Sequence, residues 1–128
     1  MKQATREWLK KAEADYLAAL DLARRRKIPL PDQVCFHCQQ CAEKYVKARL
    51  EEANVRIPKT HDLGELVKLA LPFEPLWSAL QPALQSLSDY AVAFRYPGHE
   101  ATKAEVKIAL ANCKAVRKEV RLAFGLKV

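Results

Sequence analysis

A chain of 128 residues, half of them hydrophobic, is long enough to bury a core without stabilisation by disulfide bonds or metal ions. It contains no apolar run that could cross a bilayer, and its N-terminal segment is charged and amphipathic, so we expect a cytoplasmic protein with no membrane partner. The formal net charge of +7 is compatible with an anionic partner such as RNA, but charge alone does not select one.

Composition and periodicity predict an all-α protein. Only three glycines are present, and residues of high helix propensity are abundant. No segment shows the sustained alternation of apolar and polar residues that is typical of a half-buried strand. We therefore predict a single helical domain over residues 1–128, built as an antiparallel up-and-down four-helix bundle with an extra short helix.

The first two helices are predicted from apolar residues that recur at helical spacing. Helix one runs from about Thr5 to Arg26. The basic run at 24–27 closes it, and cations at a helix C-terminus complement the helix dipole, so we interpret the run as a solvated helix end rather than a nucleic-acid patch. Helix two starts after Asp32, a candidate N-cap, and continues to about Ala53. We expect its outer face to carry solvated Gln, Glu and Lys side chains.

Two further helix starts carry the signature of a capping box. A short third helix is predicted from about Asp62 to Leu71, because Glu65 follows Asp62 at the required spacing of three residues. Thr102 and Glu105 have the same spacing and predict the start of the last helix.

The fourth predicted helix begins at Pro75 and leads into a polar segment. Pro82 lies inside its pattern and predicts a kink or break near Ala79, so the longer part runs from Pro82 to Arg95. Pro97 then ends the helix, because proline lacks an amide donor and disfavours helical geometry in the residue before it.

The polar segment Arg95-Tyr96-Pro97-Gly98-His99 contains the candidate catalytic residues. Gly98 allows the chain to turn, which brings Arg95 and His99 close together. Arginine carries a permanent planar charge suited to phosphate, and histidine titrates near neutral pH, so the pair suits work on a phosphodiester. Tyr96 is a candidate binding residue. The alternative is that Arg95 only complements the helix dipole and His99 lies in a solvated loop.

The spacing of the cysteines is similar to that of a metal-binding motif. Cys35, Cys38 and Cys41 follow the pattern C-x2-C-x2-C, with His37 inside it, which resembles part of an iron-sulfur motif. Residues three apart on a helix share one stripe, however, and Cys113 lies on another helix. We expect four reduced core cysteines, no metal and no cofactor, with His37 exposed or paired away from the cysteine stripe.

Four segments of the chain resemble one known family. They are WLKKAEAD at 8–15, QCAEKYVKA at 40–48, IPKTHDL at 57–63, and the stretch from Tyr90 to Pro97. Their order and spacing are similar to those of the HEPN domain of prokaryotes, and the likeness covers nearly the whole chain. The resemblance implies a helical bundle that dimerises.

The resemblance also implies a function. HEPN proteins commonly accompany a small nucleotidyltransferase, often as toxin and antitoxin, and many are metal-independent ribonucleases. Their motif is an Arg followed after four to six residues by a His, placed in a cleft between two subunits. In this chain only three residues separate Arg95 and His99.

Our leading hypothesis is a homodimeric endoribonuclease toxin that acts on RNA and is paired with a nucleotidyltransferase antitoxin. In this hypothesis Arg95 binds the scissile phosphate and His99 acts as general acid or base. One alternative is a non-catalytic helical module that binds a nucleotide or a nucleotidyltransferase partner through Arg95 and Tyr96. A third option is a purely structural dimer with Arg95 in an ion pair.

Overall fold

The computed structural model describes residues 1–91 and 97–128. Every regular element in these ranges is helical, which confirms the all-α class. The α-helices are α1 (Gln3–Ala23), α2 (Pro31–Glu52), α3 (Leu63–Ala70), α4 (Gln81–Ser88) and α5 (Lys103–Ala123), and the 3-10 segments Pro75–Leu80 and Asp89–Ala91 flank α4. None of the helices in the described ranges is both long enough and apolar enough to cross a membrane.

The central element is α2, which packs against α1, α3, α4 and α5. Its apolar side chains are buried on more than one face, and they include Val34, Cys35, Cys38, Cys41, Ala42, Tyr45, Val46, Ala48 and Leu50. A helix that is apolar on several sides is typical of a protein interior. Hydrogen bonds between the helices show that α1 runs antiparallel to α2 and that α5 runs parallel to α2. These directions are compatible with the predicted up-and-down order.

One ionic network joins the three long helices. Glu13 of α1 accepts hydrogen bonds from the Arg117 guanidinium of α5 at 2.8 Å and from the Tyr45 hydroxyl of α2 at 2.8 Å. The Arg117 guanidinium holds the pKa of Glu13 below its ordinary value, so the carboxylate is charged at neutral pH. Arg121 donates to the same Tyr45 hydroxyl at 3.2 Å. This network fixes the positions of α1, α2 and α5 relative to one another.

The predicted capping signals are found at α3 and α5. The Asp62 carboxylate accepts a hydrogen bond from the backbone N–H of Glu65 at 3.2 Å. At α5, Thr102 and Glu105 form the complete reciprocal capping box, with both bonds at 3.1 Å. These bonds satisfy backbone donors that a helix start otherwise leaves unpaired.

The start of α2 was predicted wrongly. The helix begins at Pro31, with Leu30 at the N-cap, rather than after Asp32. Proline is favoured at the first helical position because its missing N–H is not needed there. The Asp32 carboxylate instead accepts a hydrogen bond from the backbone N–H of Ala101 at 2.7 Å. Asp32 therefore ties the start of α2 to the segment that enters α5.

The end of α1 also differs from the prediction, because the helix stops at Ala23 rather than near Arg26. The backbone N–H groups of Arg24 and Arg25 donate to the carbonyls of Asp21 and Leu22 at 3.2 Å and 3.3 Å and close the last turn. The basic residues 24–27 consequently lie in the connector between α1 and α2, with exposed side chains.

The segment predicted as the fourth helix is divided near the expected place. A 3-10 helix spans Pro75–Leu80, and α4 begins at Gln81 with Pro82 in its first turn, next to the predicted break at Ala79. Proline is tolerated there because the first turn needs no amide donor. The predicted helix end at Arg95 lies outside the described residues.

The expectation that the Gln, Glu and Lys side chains of α2 form a solvated outer face is wrong for three of them. Gln39, Glu43 and Lys47 lie four residues apart on this helix and are all buried. Gln39 and Lys47 donate to the Glu43 carboxylate at 2.9 Å and 3.0 Å, and His61 lies 2.8 Å from it. Burial alone would raise the pKa of Glu43, but the hydrogen bonds from Gln39, His61 and Lys47 hold it below its ordinary value. We refer to Gln39, Glu43 and Lys47 as the polar row.

Glu43→Gln should destabilise the fold by about 3 kcal/mol at neutral pH, because it leaves the buried Lys47 ammonium without its counter-charge. The folded pKa of Glu43 is lowered, so its stabilising contribution is present above the unfolded pKa and is lost as pH falls through the folded value. The difference between variant and wild type in urea unfolding should therefore shrink below a pH of about 4.

The exposed Glu119 of α5 supplies the control for this experiment. Glu119→Gln should match wild type within about 0.5 kcal/mol across the same pH range. Equal stability of wild type and Glu43→Gln at neutral pH would contradict the assigned role of the polar row.

Candidate functional site

The structure describes one of the three predicted site residues. His99 lies in an exposed turn before α5, whereas Arg95 and Tyr96 lie outside the described residues. Gly98 in this turn has a φ of 91°, a conformation that residues with a side chain rarely adopt, so the predicted role of Gly98 in turning the chain is confirmed. The proximity of Arg95 and His99 remains a prediction.

The turn that carries His99 lies at the same end of the bundle as the basic connector. The Asp32 bond to Ala101 holds the chain just after His99 against the start of α2. Exposed cations lie at this end on two elements, with Arg24, Arg25, Arg26 and Lys27 in the connector and Lys103 at the first residue of α5. We call these five cations and the turn at 97–100 the basic end. It is a surface with a net positive charge, although Glu100 contributes an exposed carboxylate.

An open cavity of about 390 Å³ lies within the basic end. Its apolar walls come from Leu22, Ala23, Pro29, Leu30, Pro31, Val34, Ala101 and Val106, and Arg25, Glu100 and Lys103 supply its polar groups. Among the described residues, two cations line it; they are far apart in sequence and meet because α1 and α5 are antiparallel. We call this space the end cavity.

Two carboxylate–histidine pairs were not identified from the sequence. His37 Nδ1 lies 2.8 Å from the Asp15 carboxylate, which also accepts from Lys44 at 2.5 Å. His61 Nδ1 lies 2.8 Å from Glu43, and the His61 side chain is 63% exposed. When Nδ1 carries the proton and donates it to a carboxylate, Nε2 is left as the acceptor of the ring.

Both pairs join separate elements of the fold. The Asp15 bond joins α1 to His37 of α2, in agreement with the expectation that His37 is paired. The His61 bond fastens the loop before α3 to α2, and the Ser88 hydroxyl adds to it by donating to the His61 carbonyl at 3.2 Å. The signal for the first pair was present in the sequence, because Asp15 falls on the buried stripe of α1 with Ala12 and Ala19. A charge on such a stripe requires a partner.

The cysteines occupy the core, as predicted. All four are free and buried, and the thiols of Cys38 and Cys41 lie within hydrogen-bonding reach of Cys113. Burial raises the pKa of Cys35 to about 12 and that of Cys41 well above its ordinary value, so these groups are neutral thiols. Within residues 1–91 and 97–128, no group of three or more His, Cys, Asp or Glu side chains is arranged to hold a metal ion.

Comparisons with known proteins agree with this helical architecture. The model of the HEPN domain matches residues 5–123, so the chain belongs to the HEPN family. The fold is similar to that of the crystal structure of TT1696 from Thermus thermophilus, with a TM-score of 0.77 and 25% sequence identity. That likeness covers 94% of this chain and 98% of TT1696. Among curated proteins, none matches the chain at a significant level.

Proposed function

We propose that this HEPN protein is a metal-independent endoribonuclease toxin, with Arg95 on the scissile phosphate and His99 as general acid or base. The observation that carries the proposal is the exposed position of His99, which comes directly before the residues that line the end cavity together with Arg25 and Lys103. An RNA strand is a line of negative charges, and a basic surface binds it through phosphate contacts. The resemblance to HEPN ribonucleases supplies the reaction class.

The proposed reaction uses the 2′-hydroxyl of the RNA as its nucleophile. The 2′-oxygen forms a bond to the adjacent phosphorus while the bond from phosphorus to the 5′-oxygen breaks. A base removes the proton from the 2′-hydroxyl, and an acid supplies a proton to the leaving 5′-oxygen. An exposed imidazole such as His99 can exchange protons in this way, and the Arg95 guanidinium stabilises the charge that develops on the phosphoryl oxygens. The products are a 2′,3′-cyclic phosphate and a 5′-hydroxyl.

We further propose that two copies of the chain form the site. HEPN domains commonly dimerise, and a cleft between two copies would bring two Arg95 and two His99 side chains together. A nucleotidyltransferase is the proposed antitoxin partner, and the cytoplasm is the proposed location.

A second function has one specific observation in its favour. Only three residues separate Arg95 and His99, whereas the ribonuclease motif of the family has four to six. A non-catalytic module would bind a nucleotide or a nucleotidyltransferase through Arg95 and Tyr96, and His99 would be dispensable.

The purified protein should be a homodimer. Light scattering at micromolar concentration should give twice the chain mass of 14.5 kDa. A particle with the mass of one chain would remove the proposal of a site shared between two copies.

Arg95→Ala and His99→Ala should each reduce RNA cleavage by about a hundredfold or more, because one removes charge stabilisation and the other removes the proton carrier. His99→Ala should leave the free energy of unfolding within about 0.5 kcal/mol of wild type, since His99 is exposed. Cleavage rates with a labelled single-stranded RNA in the presence of chelator, together with melting temperatures, test both expectations.

Arg6→Ala is the matched control, because Arg6 is an exposed arginine near the opposite end of α1 and should leave cleavage unchanged. Cleavage at the wild-type rate by both site variants would contradict the assignment. If wild type cuts no RNA yet binds nucleotide or partner, and loses that binding in Arg95→Ala alone, the binding-module function replaces the ribonuclease.

A further inference from the structure

We infer that the end cavity binds one nucleotide of single-stranded RNA, with the base against its apolar walls and the phosphate between Arg25 and Lys103. This inference rests on the proposed function for its substrate class. It assigns a binding role to a surface whose lining residues do not include His99.

The size and lining of the cavity suit a nucleobase. Its volume of about 390 Å³ lies near the lower end of the range for small-ligand pockets, about 300–1,000 Å³. Leu22, Leu30 and Val106 line it with apolar surface and are only partly buried, so they remain accessible to a planar ring. A base inserted there removes apolar area from water without placing a charge on the cavity walls.

The two cations suit the phosphate of the same nucleotide. Arg25 uses its Nε–H in a bond of 3.2 Å to the Ile28 carbonyl, which orients the guanidinium, and none of the described residues accepts from its other N–H groups, which can donate to an anion. Lys103 is the first residue of α5, where the positive end of the helix dipole adds to its charge. Glu100 is the one carboxylate among the lining residues, and it disfavours a second phosphate within the cavity.

The position of the cavity relates it to the proposed reaction. Glu100 and Ala101 line the cavity and directly follow His99 in the chain. A nucleotide held there places the adjoining RNA beside His99. The cavity would then select the nucleotide that flanks the cleavage site.

Binding of an uncleavable strand tests the inference without requiring catalysis. The probe is a short fluorescein-labelled oligouridylate with 2′-O-methyl groups, which lacks the nucleophile of the proposed reaction. Fluorescence anisotropy over a salt series gives the affinity and its salt dependence. Arg25→Gln and Lys103→Gln should each lower the magnitude of the slope of log K against log salt by about 0.7, the value for one phosphate contact on a single strand.

Filling the cavity tests the base contact separately. Ala23 lines the cavity, is exposed and ends α1, so Ala23→Trp adds volume without overpacking the core. This variant should weaken binding about tenfold with an unchanged salt slope, since it excludes the base and keeps both cations. Lys10→Gln is the matched charge control, because Lys10 is an exposed cation on the distant half of α1. Melting temperatures establish that each variant is folded.

Three outcomes would overturn the inference. One is binding by Ala23→Trp equal to wild type; another is an effect of Arg25→Gln and Lys103→Gln no larger than that of Lys10→Gln. The third is binding of uridine monophosphate that responds to the variants while oligouridylate binding does not, which would indicate a site for free nucleotide.

The two proposals fail separately. If the wild-type protein does not cleave RNA but oligouridylate binding follows the expected pattern, the proposed ribonuclease function is rejected and the proposed nucleotide site is retained. Normal cleavage with unchanged binding in all three variants removes the nucleotide site alone.

Discussion

The fold depends on α2, which is buried on several sides. A charged group that becomes buried with this helix requires a partner of opposite charge or a hydrogen bond. Glu43 meets Lys47 and His61, and Lys44 reaches Asp15 of α1. In the described residues, no buried side-chain nitrogen or oxygen lacks a hydrogen-bond partner. An unpaired charge at the buried Glu43 or Lys47 would cost several kcal/mol, a large part of the stability of a small domain. These pairs therefore determine which helices pack against α2 and how they are aligned along it.

Polar contacts also position the candidate site, because they set the arrangement of the long helices. The Glu13–Arg117 ion pair sets α1 against α5, and the Asp32 bond to Ala101 sets the start of α5 against the start of α2. The connector cations, the turn with His99 and the end cavity consequently meet at one end of the bundle. The chemistry proposed for this end therefore depends on the Asp32 bond within it and on the Glu13–Arg117 pair, which lies further along the helices.

Local signals in the sequence predicted which segments are helical, although the end of α1 and the start of α2 were placed wrongly. The capping box at Thr102 and the break near Pro82 each depend on neighbouring residues, so sequence spacing was sufficient to find them. Burial of Gln39 and Lys47 was missed because it depends on helices that pack from elsewhere in the chain. The basic run at 24–27 was interpreted as a solvated helix end, and its proximity to Lys103 follows only from tertiary packing.

The chemistry of the RNA ends tests the central claim most directly. Wild-type protein is incubated with a single-stranded RNA of defined sequence in the presence of chelator, and the fragments are analysed by mass spectrometry. Our account predicts a 2′,3′-cyclic phosphate on one new end and a 5′-hydroxyl on the other, because the RNA supplies its own nucleophile and the exposed His99 transfers the protons. Fragments that end in a 5′-phosphate would contradict it, since they require water rather than the 2′-hydroxyl as the attacking group.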